Sequence, residues 1–150
     1  MKIYTLHKKL ELRISQKEAW NFFSNAKNLA QLTPKEMNFR IESEIPPKSY
    51  PGLVLAFSVT PFLGLRQTWV SEITQVQEPD YFIDVQVSGP YKYWHHKHGF
   101  NKTPNGVELE DLVHYALPFS PISNIFNGLI QKELEKVFDY RQKVLKELFG

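Results

Sequence analysis

Apolar residues recur mostly at every second position from Lys2 to Ile14, at Tyr4, Leu6, Leu10, Leu12 and Ile14, which is the period of a strand with one face buried. The period changes at Ser15. Ser15-Gln16-Lys17-Glu18 has the form of a capping box, in which the Ser and Glu side chains each satisfy a free backbone N–H at a helix start. The helix it predicts gathers Ala19, Trp20, Phe22, Phe23 and Ala26 on one side, and a second short turn through Leu29 and Leu32 ends before Pro34.

From Phe39 onward the pattern returns to short runs of period two, cut by Pro and Gly, as in an antiparallel meander. The runs predict strands over Asn38 to Glu44, Leu53 to Thr60, Arg66 to Gln77, Tyr81 to Ser88, Tyr91 to Lys102 and Val107 to Leu117. Pro46-Pro47, Pro51-Gly52, Pro61 with Gly64, Glu78-Pro79-Asp80, Gly89-Pro90 and Thr103-Pro104-Asn105-Gly106 separate them. The connections are short, so consecutive strands should be neighbours.

After Ser120-Pro121 the period lengthens to three and four. Ile122, Ile125, Phe126, Leu129, Ile130, Leu134, Val137, Phe138, Val144, Leu145 and Leu148 form an apolar stripe, interrupted at Arg141. This predicts one helix to Gly150, about 29 residues and roughly 43 Å long, with one face buried throughout. The stem of Arg141 would run along the core and its head would pair at the edge. Gly128 marks either a close approach of another element or of a ligand, or a weak spot in the helix.

Composition narrows the function classes. The chain has 150 residues, 42% hydrophobic and 23% charged, with no apolar run near the roughly 20 residues needed to cross a bilayer. No membrane insertion is expected, and the N-terminus reads as a strand rather than a secretory leader, so the expected location is cytoplasmic. The absence of cysteine excludes disulfides, thiolate nucleophiles and thiolate metal sites. A net charge of +2 with scattered lysines gives no footprint for nucleic acid. The excess is aromatic: 11 Phe, 7 Tyr and 3 Trp point to a dense aromatic core or an aromatic-lined pocket.

Strand, two short helices, about six antiparallel strands and a long terminal helix is the order of the START-like (SRPBCC) superfamily, which includes Bet v 1 allergens and polyketide cyclases. The segments Trp20-Asn21-Phe22-Phe23, Leu32-Thr33-Pro34, Gly89 to Phe100, Asp111 to Phe119 and Val137 to Arg141 resemble a bacterial ligand-binding branch, sometimes labelled cell-division inhibitors. The resemblance spans the chain. It implies one α+β helix-grip domain over residues 1–150: a curved antiparallel sheet of six or seven strands wrapped around the C-terminal helix, two short helices after the first strand, and a hydrophobic tunnel between sheet and long helix. It implies no single reaction.

Candidate chemistry gathers on the predicted strands. Trp94, His96, His98 and Phe100 share a face; with the two aromatics inward, both imidazoles are inward as well and need partners. On the next strand Asp111 lies within the apolar set Val107, Leu109, Val113, Tyr115 and Leu117. Three readings fit His96, His98 and Asp111: mutual satisfaction in a polar patch with Tyr115, anchoring of a polar group on an apolar guest, or a three-ligand metal site. Trp69 with Gln67, and Gln86 with Asp84, occupy alternating strands whose inward face is open; Gln67, Trp69 and Gln86 line the pocket if that face is inward. No phosphate loop, nucleophile elbow or His-Glu-x-x-His helix occurs.

The expected function is binding of a lipophilic or aromatic small molecule through His96, His98, Asp111, Tyr115, Trp94, Trp69, Gln67 and Gln86, with no cofactor and no metal. A cyclase or dehydratase-like enzyme using His96 or His98 with Asp111 is the alternative, its catalytic residues otherwise unknown. A third reading is a protein-interaction module with a vestigial cavity, using Phe62, Leu63 and Leu65 around Pro61 and Gly64. Oligomeric state is not legible.

Overall fold

The computed structural model describes residues 1–60 and 64–150, so Phe62 and Leu63 of the interaction reading lie outside the described residues. The chain forms β1 (Tyr4–Leu12), α1 (Gln16–Phe23), two short 3-10 helices (Ala26–Leu32 and Lys35–Met37), β2 (Arg40–Ile41), β3 (Val54–Val59), β4 (Gln67–Gln77), β5 (Tyr81–Ser88), β6 (Tyr93–Thr103), β7 (Gly106–Ala116), a 3-10 turn (Ile122–Phe126) and α2 (Asn127–Phe149). The seven strands make one antiparallel sheet in the order β1-β7-β6-β5-β4-β3-β2. This is the expected helix-grip architecture.

Local chemistry places the elements. Ser15 caps α1, its Oγ accepting from the Glu18 N–H at 3.1 Å while the Glu18 carboxylate accepts from the Ser15 N–H at 2.8 Å. The strand expected over Asn38 to Glu44 shrinks to Arg40–Ile41, because the Ser43 hydroxyl accepts from the Ala56 N–H at 3.0 Å and takes the place of the next backbone rung. Register shifts in β4 between Val70 and Ser71 and between Ile73 and Gln75 bend the central strand.

The C-terminal stripe departs from expectation at its start. Ile122, Ile125, Phe126 and Leu129 are exposed, so the buried face is not continuous. The 3-10 turn advances three residues per turn, which takes its apolar positions off the line that α2 buries, and its residues lie beyond the strand ends. Leu134, Phe138, Arg141 and Leu145 form the buried line of α2. A Cβ on Gly128 would meet nothing within 4 Å, so no element approaches closely there.

Two apolar clusters fill the interior. One joins Trp20, Leu32, Leu55, Phe57, Phe82, Phe100 and Leu145; the other joins Leu6, Trp94, Val113, Tyr115, Leu134 and Phe138. Each such side chain stabilises the fold by about 1.5–3 kcal/mol through removal from water.

Candidate functional site

Between the two clusters lies a buried charged group contributed by three adjacent strands and α2. The register sets Asp84 opposite His96, and His98 opposite Asp111. Alternation puts Trp94, His96, His98 and Phe100 on the inner face, all buried, as the sequence predicts. His96 Nε2–H donates to Asp111 Oδ1 at 2.7 Å, and His98 Nε2–H donates to Asp84 Oδ2 at 2.5 Å. These bonds set both tautomers and leave each Nδ1 as the lone-pair side. His98 Nδ1 faces Arg141 Nη2 at 3.5 Å, and Arg141 Nη2 is also 3.5 Å from Asp111 Oδ1. Arg141 therefore does not pair at an edge; it is buried, with its guanidinium against the Phe23 and Phe138 rings. Its length lets it reach across the gap between helix and sheet.

The electrostatics follow from burial and from these pairings. Burial alone would raise the Asp111 carboxyl, but Arg141, the His96 hydrogen bond and the two imidazoles hold it well below the usual carboxylate range. Asp84 is lowered in the same way, burial being outweighed by the His98 hydrogen bond and by the charges of His98, His96 and Arg141. Burial, then His96, pushes His98 down to about 4 against the opposing pull of Asp84. Two carboxylates and one guanidinium leave the group with one net negative charge when both imidazoles are uncharged.

Ligand atoms of Asp84, His96 and His98 lie within 4.8 Å of one another, close enough to hold a divalent ion. The set differs from the one the sequence suggests, Asp84 standing where Asp111 was expected. The fit is poor. Both Nε2 atoms are engaged by carboxylates, and a fixed guanidinium 3.5 Å from His98 Nδ1 opposes a dication.

A cavity of about 90 Å³ adjoins this group. Asp84, His98 and Arg141 are its charged or titratable lining, Asn25, Asn28, Ser49 and Ser71 add polar groups, and Phe23, Leu29, Leu32, Leu55, Phe57 and Ile73 are among its apolar lining. Arg141 Nε is buried without a hydrogen-bond partner among the described residues. A larger hollow of about 470 Å³ along α2 is lined by Asp139, Gln142, Lys143, Lys146 and Glu147, all charged or polar residues of the helix.

The other expected site residues sit elsewhere. Trp69, Tyr91, Trp94 and Tyr115 pack together at the far end of the interior, the Trp69 and Trp94 rings meeting edge to face at 5.1 Å. Tyr115 is not part of the His–Asp patch: its hydroxyl donates to Asn127 Oδ1 at 2.9 Å. Gln86 clamps the β5–β6 turn, donating to the Tyr91 carbonyl at 2.6 Å and accepting from the Tyr91 N–H at 3.1 Å. Gln67 begins β4 in the alternation of Trp69, Ser71 and Ile73, at the same end. Of the eight, His98 alone lines the cavity, with His96 and Asp111 behind it. Asp84 and Arg141 are the members that sequence reasoning passed over; the polar interruptions of β5 and of the α2 stripe were their only signals.

No family model matches the chain, and no curated protein matches it. Solved structures do. The chain is similar to Ara h 8.0201, at 11% identity over 97% of this chain and 99% of that one with a TM-score of 0.62. It is also similar to protein Ms6760 from Mycobacterium smegmatis, at 15% identity over 94% and 90% with a TM-score of 0.68. A third likeness, at 14% identity with a TM-score of 0.73, is to the di-domain ARO/CYC BexL from the BE-7585A biosynthetic pathway, where the match covers 97% of this chain and 49% of that chain. At these identities the likeness is one of fold, and the fold is the helix grip that the resemblance to the START-like superfamily implied.

Proposed function

We propose that the domain binds a small, mostly apolar molecule between the sheet, the turn over residues 26–32 and α2, and that Arg141, His98 and Asp84 orient its polar end. The observation that carries this reading is a cavity with mostly apolar walls beside a buried guanidinium whose Nε–H has no acceptor among the described residues. A buried donor left unpaired is costly, and an acceptor oxygen on the ligand would satisfy it. The site charge selects the ligand. With the group already negative, a neutral carbonyl or hydroxyl suits it better than a carboxylate. Ligand pockets usually span about 300–1,000 Å³, and a 150 Å³ cavity accommodates benzene. A ring-sized guest would therefore enter by displacing the 26–32 turn, which closes the cavity with Ala26, Leu29 and Leu32.

A second reading keeps the site and adds chemistry. His98 stays neutral near pH 7 and is oriented by Asp84, so its Nδ1 could take a proton once Arg141 turns to the ligand, and the Arg141 guanidinium could stabilise an enolate oxygen. Likeness to an ARO/CYC protein raises interest in carbonyl substrates through fold alone.

Native mass spectrometry of the purified protein, followed by extraction and identification of any guest, tests the first reading. A one-to-one neutral guest, weakened in Arg141→Met, is the expected result. A protein that flies empty and whose melting temperature no lipophilic carbonyl or hydroxyl compound raises would overturn it. The second reading needs turnover of such a compound that His98→Gln abolishes while binding survives.

A further inference from the structure

We propose that the edge of the sheet where β7 hands over to α2 is a docking surface for an anionic lipid bilayer. Strand pairing brings the start of β1, the end of β3, the start of β4, the end of β5, the start of β6 and the end of β7 to this one edge. Phe119, Ile122, Ile125, Phe126 and Leu129 are exposed there, Phe119 at 86% and Ile125 at 80%, and Leu65 on the β3–β4 connection is exposed at the same edge. Five apolar side chains facing water within eleven residues is a contiguous patch rather than the scattered single exposures of an ordinary surface.

Charge decides what fits the patch. From Leu112 to Lys132 the sequence contains no Asp or Glu. The other described segments that reach this edge, residues 1–3, 60, 64–66 and 89–92, contain none either, while they supply Lys2, Arg66 and Lys92. At the opposite edge the connections carry Glu44, Glu78 and Asp80 beside Arg13 and Lys48, while Glu42 reaches back to the Ser58 hydroxyl that also holds Arg66. An apolar surface bordered by Lys2, Lys92 and Lys132, on segments that carry no carboxylate, is complementary to acyl chains beneath anionic headgroups. A second copy of this chain fits less well. A two-fold contact would set the same lysines against one another, with no carboxylate on their own segments to pair them. Among the described residues no helix is long and apolar enough to cross a membrane, so the surface would rest on the bilayer.

The test is sedimentation of the full chain with vesicles of phosphatidylglycerol and of phosphatidylcholine, beside light scattering of the protein alone. Preferential binding to phosphatidylglycerol is expected, weakened at about 1 M salt, where the screening length is about 3 Å. Ile125→Ser/Phe126→Ser should weaken it by about tenfold or more, since apolar burial would be lost. Lys92→Glu/Lys132→Glu, two exposed positions, should also weaken it, with circular dichroism unchanged as the folding control. No binding to phosphatidylglycerol, equal binding to phosphatidylcholine, or full binding by the serine variant would overturn the proposal. So would a dimer in solution that the serine variant converts to monomer, which would assign the patch to a second copy.

Discussion

The imidazoles of His96 and His98 stack face to face, with ring centroids 3.6 Å apart and 27° between their planes, inside a group that already holds two carboxylates and an arginine. A charge on His96 this close opposes a proton on His98. On its other side His98 stacks on Phe82 at 4.2 Å, which keeps water away from it.

Stability should therefore fall as the solution is acidified from neutrality. The unfolded chain takes up a proton on this histidine near pH 6.5, the folded chain only near 4, so between those values the unfolded state binds more protons. The cost at the lower end is on the order of 3 kcal/mol. Asp84 and Asp111, both lowered, add a second loss below about pH 4, where the unfolded chain is protonated first. Urea unfolding at about pH 7.5 and about pH 4.5 measures the first window, and His98→Gln should flatten it. An unchanged slope in His98→Gln would count against the assignment.

Arg141→Met should destabilise by about 3–5 kcal/mol, because it leaves two buried carboxylates with no fixed cation. Adding Asp111→Asn removes one of those charges and should recover part of the loss. A double-mutant cycle read by urea unfolding should therefore be non-additive by more than about 1 kcal/mol. Strict additivity would mean that Arg141 and Asp111 do not interact across their 3.5 Å separation.

At the β5–β6 turn, a Cβ on Gly89 would come 2.7 Å from Gln86 Oε1. Gly89→Ala should displace the Gln86 amide and break its two bonds to Tyr91, costing about 1–2 kcal/mol. Gln86→Ala should cost a similar amount, and the double variant little more than either. Thermal unfolding of the three proteins checks this, and full additivity would dissociate Gly89 from the clamp.

Gly128→Ala should raise the melting temperature, since its side chain would meet open space and Ala is about 0.8–1.0 kcal/mol better than Gly in a helix interior. The gain should be smaller here, in the first turn of α2. A loss of stability would reveal a contact that this helix start makes.

Legibility in the sequence followed the range of the interaction. Period two along β6 and β7 is a property of the pleat itself, so the inward placement of Trp94, His96, His98, Asp111 and Tyr115 could be read without knowing any partner. The capping box at Ser15 is equally local. On β5 the pattern was ambiguous because Phe82 and Ile83, on opposite faces, are both buried, which hid Asp84 among residues whose facing could not be decided.

The sequence by itself determined the order of elements, the helix-grip class and the inward pair of histidines, because backbone periodicity and capping act over a few residues. Only the tertiary structure decided that His98 bonds Asp84, that Tyr115 turns away to Asn127, and that Arg141 reaches from α2 to Asp111. Those contacts depend on strand register and on how near α2 packs to the sheet, and both are set by the summed packing of residues far apart in the chain rather than by any local pattern.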